Sequence, residues 1–196
     1  MKGKYYVNLS QGGNLIIMFE VAKRYASFID SISIKVGNVI KFLVLLMIGL
    51  LAYEAISRNF FNNSHKWALE MTQFVNTTYY MMGGAYTLLV GGHVRMDFLY
   101  GDWSVKKKAI FDIITFIFTF TFLVILLIGG IQSVMYALKY GQVTYSAWGP
   151  PVAPIKIISV TGIFLMLLQN IAELIKDIAV VIGKDTQWIR GLEDRS

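Results

Sequence analysis

The chain has 196 residues, of which 56% are apolar and 15% are charged, and it contains no cysteine. Soluble domains carry about 25% charged residues, so this composition argues against an ordinary soluble enzyme, and the lack of thiols excludes disulfide scaffolds, thiolate metal sites and cysteine nucleophiles. The net charge of +6 is compatible with nucleic-acid binding, but in a chain this apolar, basic residues more often mark the cytoplasmic ends of membrane spans.

Residues 1–38 are predicted to form an N-terminal segment whose second part, 20–38, is an amphipathic helix. Its apolar residues recur at spacings of three and four, which places them on one helix face. They are Ala22, Tyr25, Ile29, Ile32, Val36 and Val39. The charged residues fall mostly on other faces. A basic amphipathic helix beside a membrane span either lies among the lipid headgroups or packs on the core of its own protein, and the sequence leaves both alternatives open.

Residues 39–182 are predicted to form a transmembrane domain. About 20 apolar residues cross a bilayer, and four such stretches follow one another in the chain. They lie at about 39–58, 67–90, 110–138 and 157–181. With the segment 20–38, they predict an all-α integral membrane protein of four transmembrane helices plus an N-terminal amphipathic interfacial helix. Residues 183–196 are a polar cytoplasmic tail in this prediction.

The first span ends in two opposite charges, Glu54 and Arg58. A spacing of four puts both side chains on one side of a helix, so we expect an ion pair near the outer end of this span. The alternative is a surface pair that contributes little to stability.

The second span is unusual because polar and small residues interrupt it. It has no charged residue from Met71 to Val94, and its interruptions are Thr72, Gln73, Asn76, Thr77, Thr78, Gly83 and Gly84. Lipid does not satisfy side-chain amides and hydroxyls, and small residues permit close helix approach. We therefore expect this span to face protein and to be the most enclosed helix.

The distribution of Lys and Arg predicts the orientation in the membrane. Fourteen of the 18 basic residues lie in the N-terminal part of the chain through Lys41, in the loop between the second and third spans, or beyond the core of the fourth. The other side carries only Arg58, Lys66, Lys139 and Lys156. Because basic loops stay cytoplasmic, both termini are predicted to be in the cytoplasm.

No catalytic chemistry is predicted. His65 and His93 are separated by a whole span, so they cannot share a haem, and the H-E-x-x-H motif and phosphate-binding glycine loops are absent from the sequence. We predict no catalytic residue, metal or cofactor. The alternative function is a self-assembling channel or small exporter. An ion path usually has charges at mid-membrane depth, and of the charged residues in the spans only Glu54 and Glu70 come close to it.

The loop after the second span begins Gly91-Gly92-His93-Val94-Arg95-Met96-Asp97. The glycines end the helix and let another backbone approach closely. If the next turn is helical, His93 and Asp97 share a face, and Arg95 is placed to bind a lipid phosphate or a partner carboxylate. The alternative interpretation is a plain polar helix end.

All three prolines of the chain follow the third span, in the run Ser146-Ala147-Trp148-Gly149-Pro150-Pro151 and at Pro154. Proline fixes φ and lacks a backbone donor, so this run is predicted to be extended and stiff. Trp148 is typical of the aromatic residues that lie among the lipid headgroups, here at the outer surface of the membrane. The loop is therefore either a stiff connection with interfacial aromatic residues or a contact surface for another protein.

The order of these runs resembles the small membrane subunit of TRAP (tripartite ATP-independent periplasmic) transporters, the DctQ type. The resemblance covers roughly residues 39–178 and rests on Trp67-Ala68-Leu69-Glu70, Gly83 to Leu89, Gly91 to Tyr100, Lys106-Lys107-Lys108, Ser146 to Pro151, Pro154-Ile155-Lys156 and Leu167-Leu168-Gln169. One departure is Leu69, which stands where many members have an acidic residue.

The resemblance implies an accessory scaffold, or stator, subunit in the bacterial or archaeal cytoplasmic membrane. Its partners would be a large multi-span membrane subunit with the substrate and sodium sites, a periplasmic substrate-binding protein, and membrane lipids, but not nucleic acid. An ion gradient, with sodium as the favoured ion, would drive import of an organic acid. The resemblance implies that ten residues contact the partner or lipid or have a structural role: Trp67, Glu70, Gly91, Gly92, His93, Arg95, Asp97, Trp148, Pro150 and Pro151.

Overall fold

The computed structural model describes residues 9–62, 65–90 and 105–182. These residues fold mainly into α-helices. The helices are α1 (Leu9–Ile40), α2 (Leu43–Phe60), α3 (Lys66–Leu89), α4 (Val105–Tyr140) and α5 (Ala153–Ile182). Within the described ranges, pairing of the β type is confined to one isolated bridge between Val143 and Pro151. The predicted all-α class is thereby confirmed.

Helices α3 and α5 form the centre of the fold. They pack against each other, and both contact α1. Helix α2 lies against α3, and α4 lies against α5, so these two helices stand on the outside. Their outer faces are covered by large apolar side chains, of which Phe60 and Phe118 are 80% and 74% exposed. Such surfaces are stable in contact with lipid rather than water.

Close contact between the central helices depends on glycine. A Cβ atom on Gly162 of α5 would overlap the backbone carbonyl of Met81 on α3, and one on Gly84 of α3 would overlap the side chain of Met166. Gly37 of α1 faces the ring of Tyr86 in the same way. Small residues allow membrane helices to approach closely and to gain van der Waals contact, which is the attraction left to them in lipid.

Three described helical segments are long and apolar enough to cross a membrane: Glu20–Phe60, Ile110–Tyr140 and Ala153–Ile182. The first is 41 residues, about 62 Å as a helix, which is twice the roughly 30 Å hydrocarbon core. The α-helix is interrupted by a turn at Lys41 and Phe42, between α1 and α2. Helix α3 is not among the three segments, because its polar residues and glycines lower its hydropathy.

Helix α1 packs on α3 and α5 of its own chain, which was one of the two alternatives for segment 20–38. Its buried face differs from the predicted one. Val39 is 69% exposed, whereas Asp30, assigned to the polar side, is completely buried. The buried residues are Ala26, Ile29, Asp30, Ser33, Gly37 and Ile40. This face is selected by polar contacts and close packing with α5 and α3, which hydrophobic periodicity does not register.

Candidate functional site

The described chain has polar clusters at the two ends of its central helices. One cluster joins α1 to the C-terminal half of α5, and we call it the α1–α5 polar cluster. Its members are Asp30, Ser33, Gln169, Glu173 and Lys176. The α5 members are spaced by four and three residues, which puts them on one helix face. The two α1 members are three residues apart and face them.

Lys176 is the centre of this cluster. Its Nζ atom lies 3.0 Å from Asp30 Oδ1 and 2.8 Å from Glu173 Oε1, and its side chain is 8% exposed. Three hydrogen bonds surround these ion pairs. Gln169 Nε2 donates to Asp30 Oδ1 (2.8 Å) and to Glu173 Oε1 (3.1 Å), and Ser33 Oγ donates to Gln169 Oε1 (2.7 Å).

The cluster fixes α1 to α5 because its charges are removed from solvent. Asp30 and Gln169 are fully buried, and breaking a buried ion pair leaves an uncompensated charge. Tyr25 adds a hydrogen bond from its hydroxyl to the carbonyl of Leu168 (3.3 Å). Sequence reasoning missed this cluster. The sequence pattern that could have revealed it is the placement of Gln169, Glu173 and Lys176 on one face of a helix. Such a polar face in an apolar helix requires a polar face on another helix.

A second cluster joins the end of α2 to His65, the residue before α3. The buried Glu54 carboxylate accepts the backbone N–H of His65 at 3.0 Å, and Ser57 Oγ lies 3.0 Å from His65 Nδ1. The ion pair between Glu54 and Arg58 stays a prediction, and the contact that the structure shows for the Glu54 carboxylate is the one with His65. Glu54 turns towards the chain that follows α2, while Arg58 is exposed.

Trp67 and Glu70 open α3 and point to different neighbours. Trp67 is partly exposed, and its ring lies 5.7 Å from that of Tyr53 and 6.2 Å from that of His65. It therefore belongs to an aromatic group with Tyr53 and His65. Glu70 Oε2 accepts a hydrogen bond from Thr144 Oγ1 at 3.2 Å, which ties the start of α3 to the loop between α4 and α5.

The loop between α4 and α5 is closed by backbone hydrogen bonds. The Thr144 N–H donates to the Pro150 carbonyl, and the Val152 N–H donates to the Gln142 carbonyl, both at 3.1 Å. Gly149 adopts a φ of 57°, a region that L side chains seldom occupy, and its N–H donates to Ser146 Oγ. The loop is thus a compact hairpin rather than an open extended run.

This hairpin turns aromatic side chains outward. Trp148 is 45% exposed and Tyr145 is fully exposed, whereas Pro150 is buried beneath them. Pro151 is exposed and forms the bridge with Val143. The base of the hairpin is anchored by Lys156, whose Nζ donates to Gln142 Oε1 at 2.8 Å.

The motif containing Gly91, Gly92, His93, Arg95 and Asp97 lies outside the described residues. Within the described ranges, no group of three or more His, Asp or Glu side chains is arranged to hold a metal ion.

A sequence model of one protein family matches more than half of the chain. The family is described as tripartite ATP-independent periplasmic transporters, DctQ component, and the match covers residues 47–180. No curated protein and no solved structure gives a significant match. The matched region contains α3, α4, most of α2 and nearly all of α5, and its apolar segments agree with a multi-pass membrane protein. The chain therefore belongs to the DctQ family and is a small membrane subunit of a TRAP transporter.

Proposed function

We propose that this chain is a fixed scaffold subunit that holds a large multi-span transport subunit in the cytoplasmic membrane. In this proposal, the large subunit carries the substrate and the coupling ion, with sodium as the favoured ion. A periplasmic binding protein delivers an organic acid to the outer face. The described part of the small subunit contributes a rigid support.

The proposal includes four membrane crossings, by α2, α3, α4 and α5. The contact of Glu54 with His65 holds the end of α2 beside the start of α3. The contact of Thr144 with Glu70 holds the loop after α4 beside that same start. The four helices therefore alternate in direction. Helix α3 has 24 residues, about 36 Å, which is enough for a roughly 30 Å hydrocarbon core.

The orientation follows from the basic residues. Thr144 meets Glu70 on the side of the membrane that carries only four of the 18 Lys and Arg residues. Basic loops stay cytoplasmic, so we assign this side to the periplasm. Both termini are then cytoplasmic, and α1 lies at the cytoplasmic side against the C-terminal halves of α3 and α5. The outward hairpin with Tyr145 and Trp148 is then on the side where a periplasmic protein would dock.

The observation that carries the scaffold role is the locking of helices against one another. The buried Lys176–Asp30 pair fixes α1 to α5, and the Gly162–Met81 contact leaves no space between α5 and α3. Interfaces built from close packing and buried hydrogen bonds resist sliding. A subunit with such contacts is suited to stay fixed while a partner moves.

The test uses the absence of natural cysteines. Ala26 of α1 and Ala172 of α5 are fully buried in one core cluster. The double variant Ala26→Cys/Ala172→Cys is oxidised in membranes that contain the whole transporter, and substrate uptake is then measured. A fixed scaffold predicts unchanged uptake after crosslinking and full recovery of the large subunit on purification. Loss of uptake that a reductant restores would show that these helices move during transport and would overturn the proposal.

A second measurement separates the scaffold from a channel. The tagged chain is purified from its own membranes in mild detergent, and the mass of each accompanying chain is determined. One large hydrophobic chain at equal stoichiometry is expected. An assembly of this chain alone that conducts ions after reconstitution would establish the channel instead.

A further inference from the structure

The middle of α3 carries a row of polar side chains on its outer face. The row recurs at helical spacing, and we call it the α3 polar stripe: Gln73, Asn76, Thr77 and Tyr80. It lies between the eighth and the fifteenth of the 24 residues of α3, and so at the centre of the helix. Gln73 is exposed, Tyr80 is 65% exposed, and Asn76 is partly exposed.

Most of this stripe has no hydrogen-bond partner within the described part of the chain. The hydroxyl of Thr77 donates to the Gln73 carbonyl at 2.9 Å, so it is satisfied inside its own helix. The amides of Gln73 and Asn76 and the hydroxyl of Tyr80 have no hydrogen bond to described residues. Each side-chain amide carries two donors and one acceptor oxygen, and a helix backbone has few free groups to offer them.

The outer helix α4 gives a contrast within the same molecule. Its exposed polar residues include Thr115, Thr119 and Thr121, and each donates its hydroxyl to the carbonyl four residues earlier. These residues can face hydrocarbon because no polar group is left unpaired. The amides of the stripe cannot be satisfied in this way, so contact with lipid would leave them unpaired at the depth where that costs most.

We propose that the α3 polar stripe is the surface that binds the large membrane subunit. This inference rests on the proposed function and adds the face, the depth and the chemistry of the contact. The occupant is a transmembrane segment of the large subunit that presents hydrogen-bonding groups at mid-membrane depth. Those groups are side-chain amides or hydroxyls, or the carbonyls of an interrupted helix. Satisfaction of Gln73, Asn76 and Tyr80 then occurs only in the assembled complex.

The position of the stripe agrees with this assignment. The other faces of α3 are occupied by α1, α2 and α5. The outer faces of α2 and α4 carry exposed residues such as Leu45, Ile48, Phe122 and Ile125, which suit lipid. The stripe therefore offers a polar partner several hydrogen-bonding groups on one helix face.

The first test places a photoreactive phenylalanine analogue at single positions in the whole transporter. It replaces Gln73 or Tyr80 on the stripe, and Phe118 or Ile125 on the α4 face as controls. After irradiation in native membranes, the masses of the crosslinked products identify the neighbour. The expected product at positions 73 and 80 has the combined mass of the small and large subunits and is several-fold more abundant than at the control positions.

Other products would overturn the inference in distinguishable ways. A product with twice the mass of this chain at positions 73 and 80 would assign the stripe to a second copy. A copurified large subunit that crosslinks only from the control positions, or from no position tested, would remove the stripe from the interface and leave the scaffold role intact. Failure of a large subunit to copurify with the unaltered chain would reject the proposed function itself.

The second test removes the polar groups without making insertion harder. The triple variant Gln73→Leu/Asn76→Leu/Tyr80→Phe is more apolar than the natural chain, so we expect equal amounts of it in the membrane. Recovery of the large subunit is expected to fall several-fold. The matched control Thr121→Leu, on the α4 face, is expected to leave recovery unchanged. Equal recovery with the triple variant and the control would contradict the proposal.

Discussion

Lys176 on α5 and Asp30 on α1, 146 residues apart in the chain, form a buried ion pair with an N–O distance of 3.0 Å. The same ammonium group also pairs with Glu173, one turn earlier on α5. One cation thus holds two carboxylates between two helices. The pair ties the N-terminal helix to the last helix.

Substitution of Lys176 by Met should destabilise the chain strongly. It leaves Asp30 and Glu173 without their cation, and breaking a buried ion pair costs about 3–5 kcal/mol. Thermal unfolding of the purified chain in detergent measures the change. Lys35→Met, at an exposed position on α1, serves as the control and should leave the unfolding midpoint unchanged.

The double variant Lys176→Met/Asp30→Asn should be more stable than Lys176→Met alone. Asparagine keeps an oxygen that accepts from Gln169 Nε2 but carries no buried charge. The coupling between the two sites is read from the four unfolding midpoints as a double-mutant cycle. Simple addition of the two single effects would show that the ion pair is not the source of the stability.

Substitution of Gly162 by Ala should separate α5 from α3. The added methyl group would overlap the backbone carbonyl of Met81, which cannot rotate away as a side chain does. Overpacking of this kind costs about 1–3 kcal/mol. Gly129→Ala on α4 is the matched control, because no atom lies within 4 Å of the added carbon. We expect a lower unfolding midpoint for the first variant and an equal or higher one for the second, and equal midpoints would contradict the packing described.

Glu54 and Arg58 should respond differently to replacement by Ala. Loss of the Glu54 carboxylate leaves the His65 N–H without its acceptor, at a cost of about 1–3 kcal/mol. Loss of the exposed Arg58 side chain should change stability by less than about 0.5 kcal/mol. The free energies of unfolding of the two variants check this, and equal losses would support the ion pair that the sequence predicts.

Two substitutions in the hairpin between α4 and α5 test its role in folding and its role in docking separately. Thr144→Val removes the hydrogen bond to Glu70 and should lower stability by about 0.5–1.5 kcal/mol. Tyr145→Ala removes a fully exposed ring and should leave stability unchanged. If the hairpin receives the periplasmic protein, Tyr145→Ala should weaken uptake while the complex purifies normally. Unchanged uptake at limiting amounts of the binding protein would remove Tyr145 from the docking surface.

Much of the helical arrangement was predictable from local sequence. The four predicted spans match α2 to α5 to within a few residues at their ends. The polar interruptions marked α3 as a helix that needs protein neighbours, since hydropathy and hydrogen-bonding capacity are properties of each residue. The order of the tryptophan, glycine and proline runs was enough to indicate the family. The proline run also predicted stiffness, although the hairpin closure through Thr144 and Pro150 depends on backbone contacts that proline content does not encode.

The partners of polar side chains were decided only by tertiary structure. Glu54 and Arg58 have the spacing of an ion pair, but in the folded chain the Glu54 carboxylate accepts the backbone N–H of His65. Asp30 resembles a surface residue on α1 until α5 places Lys176 and Gln169 against it. Periodicity ranks the faces of one helix by their affinity for water, whereas a buried polar contact depends on which helix lies opposite. The sequence therefore determined which segments are helical and apolar, and the packing of α1, α3 and α5 determined which polar groups are paired and which are left facing outward on α3.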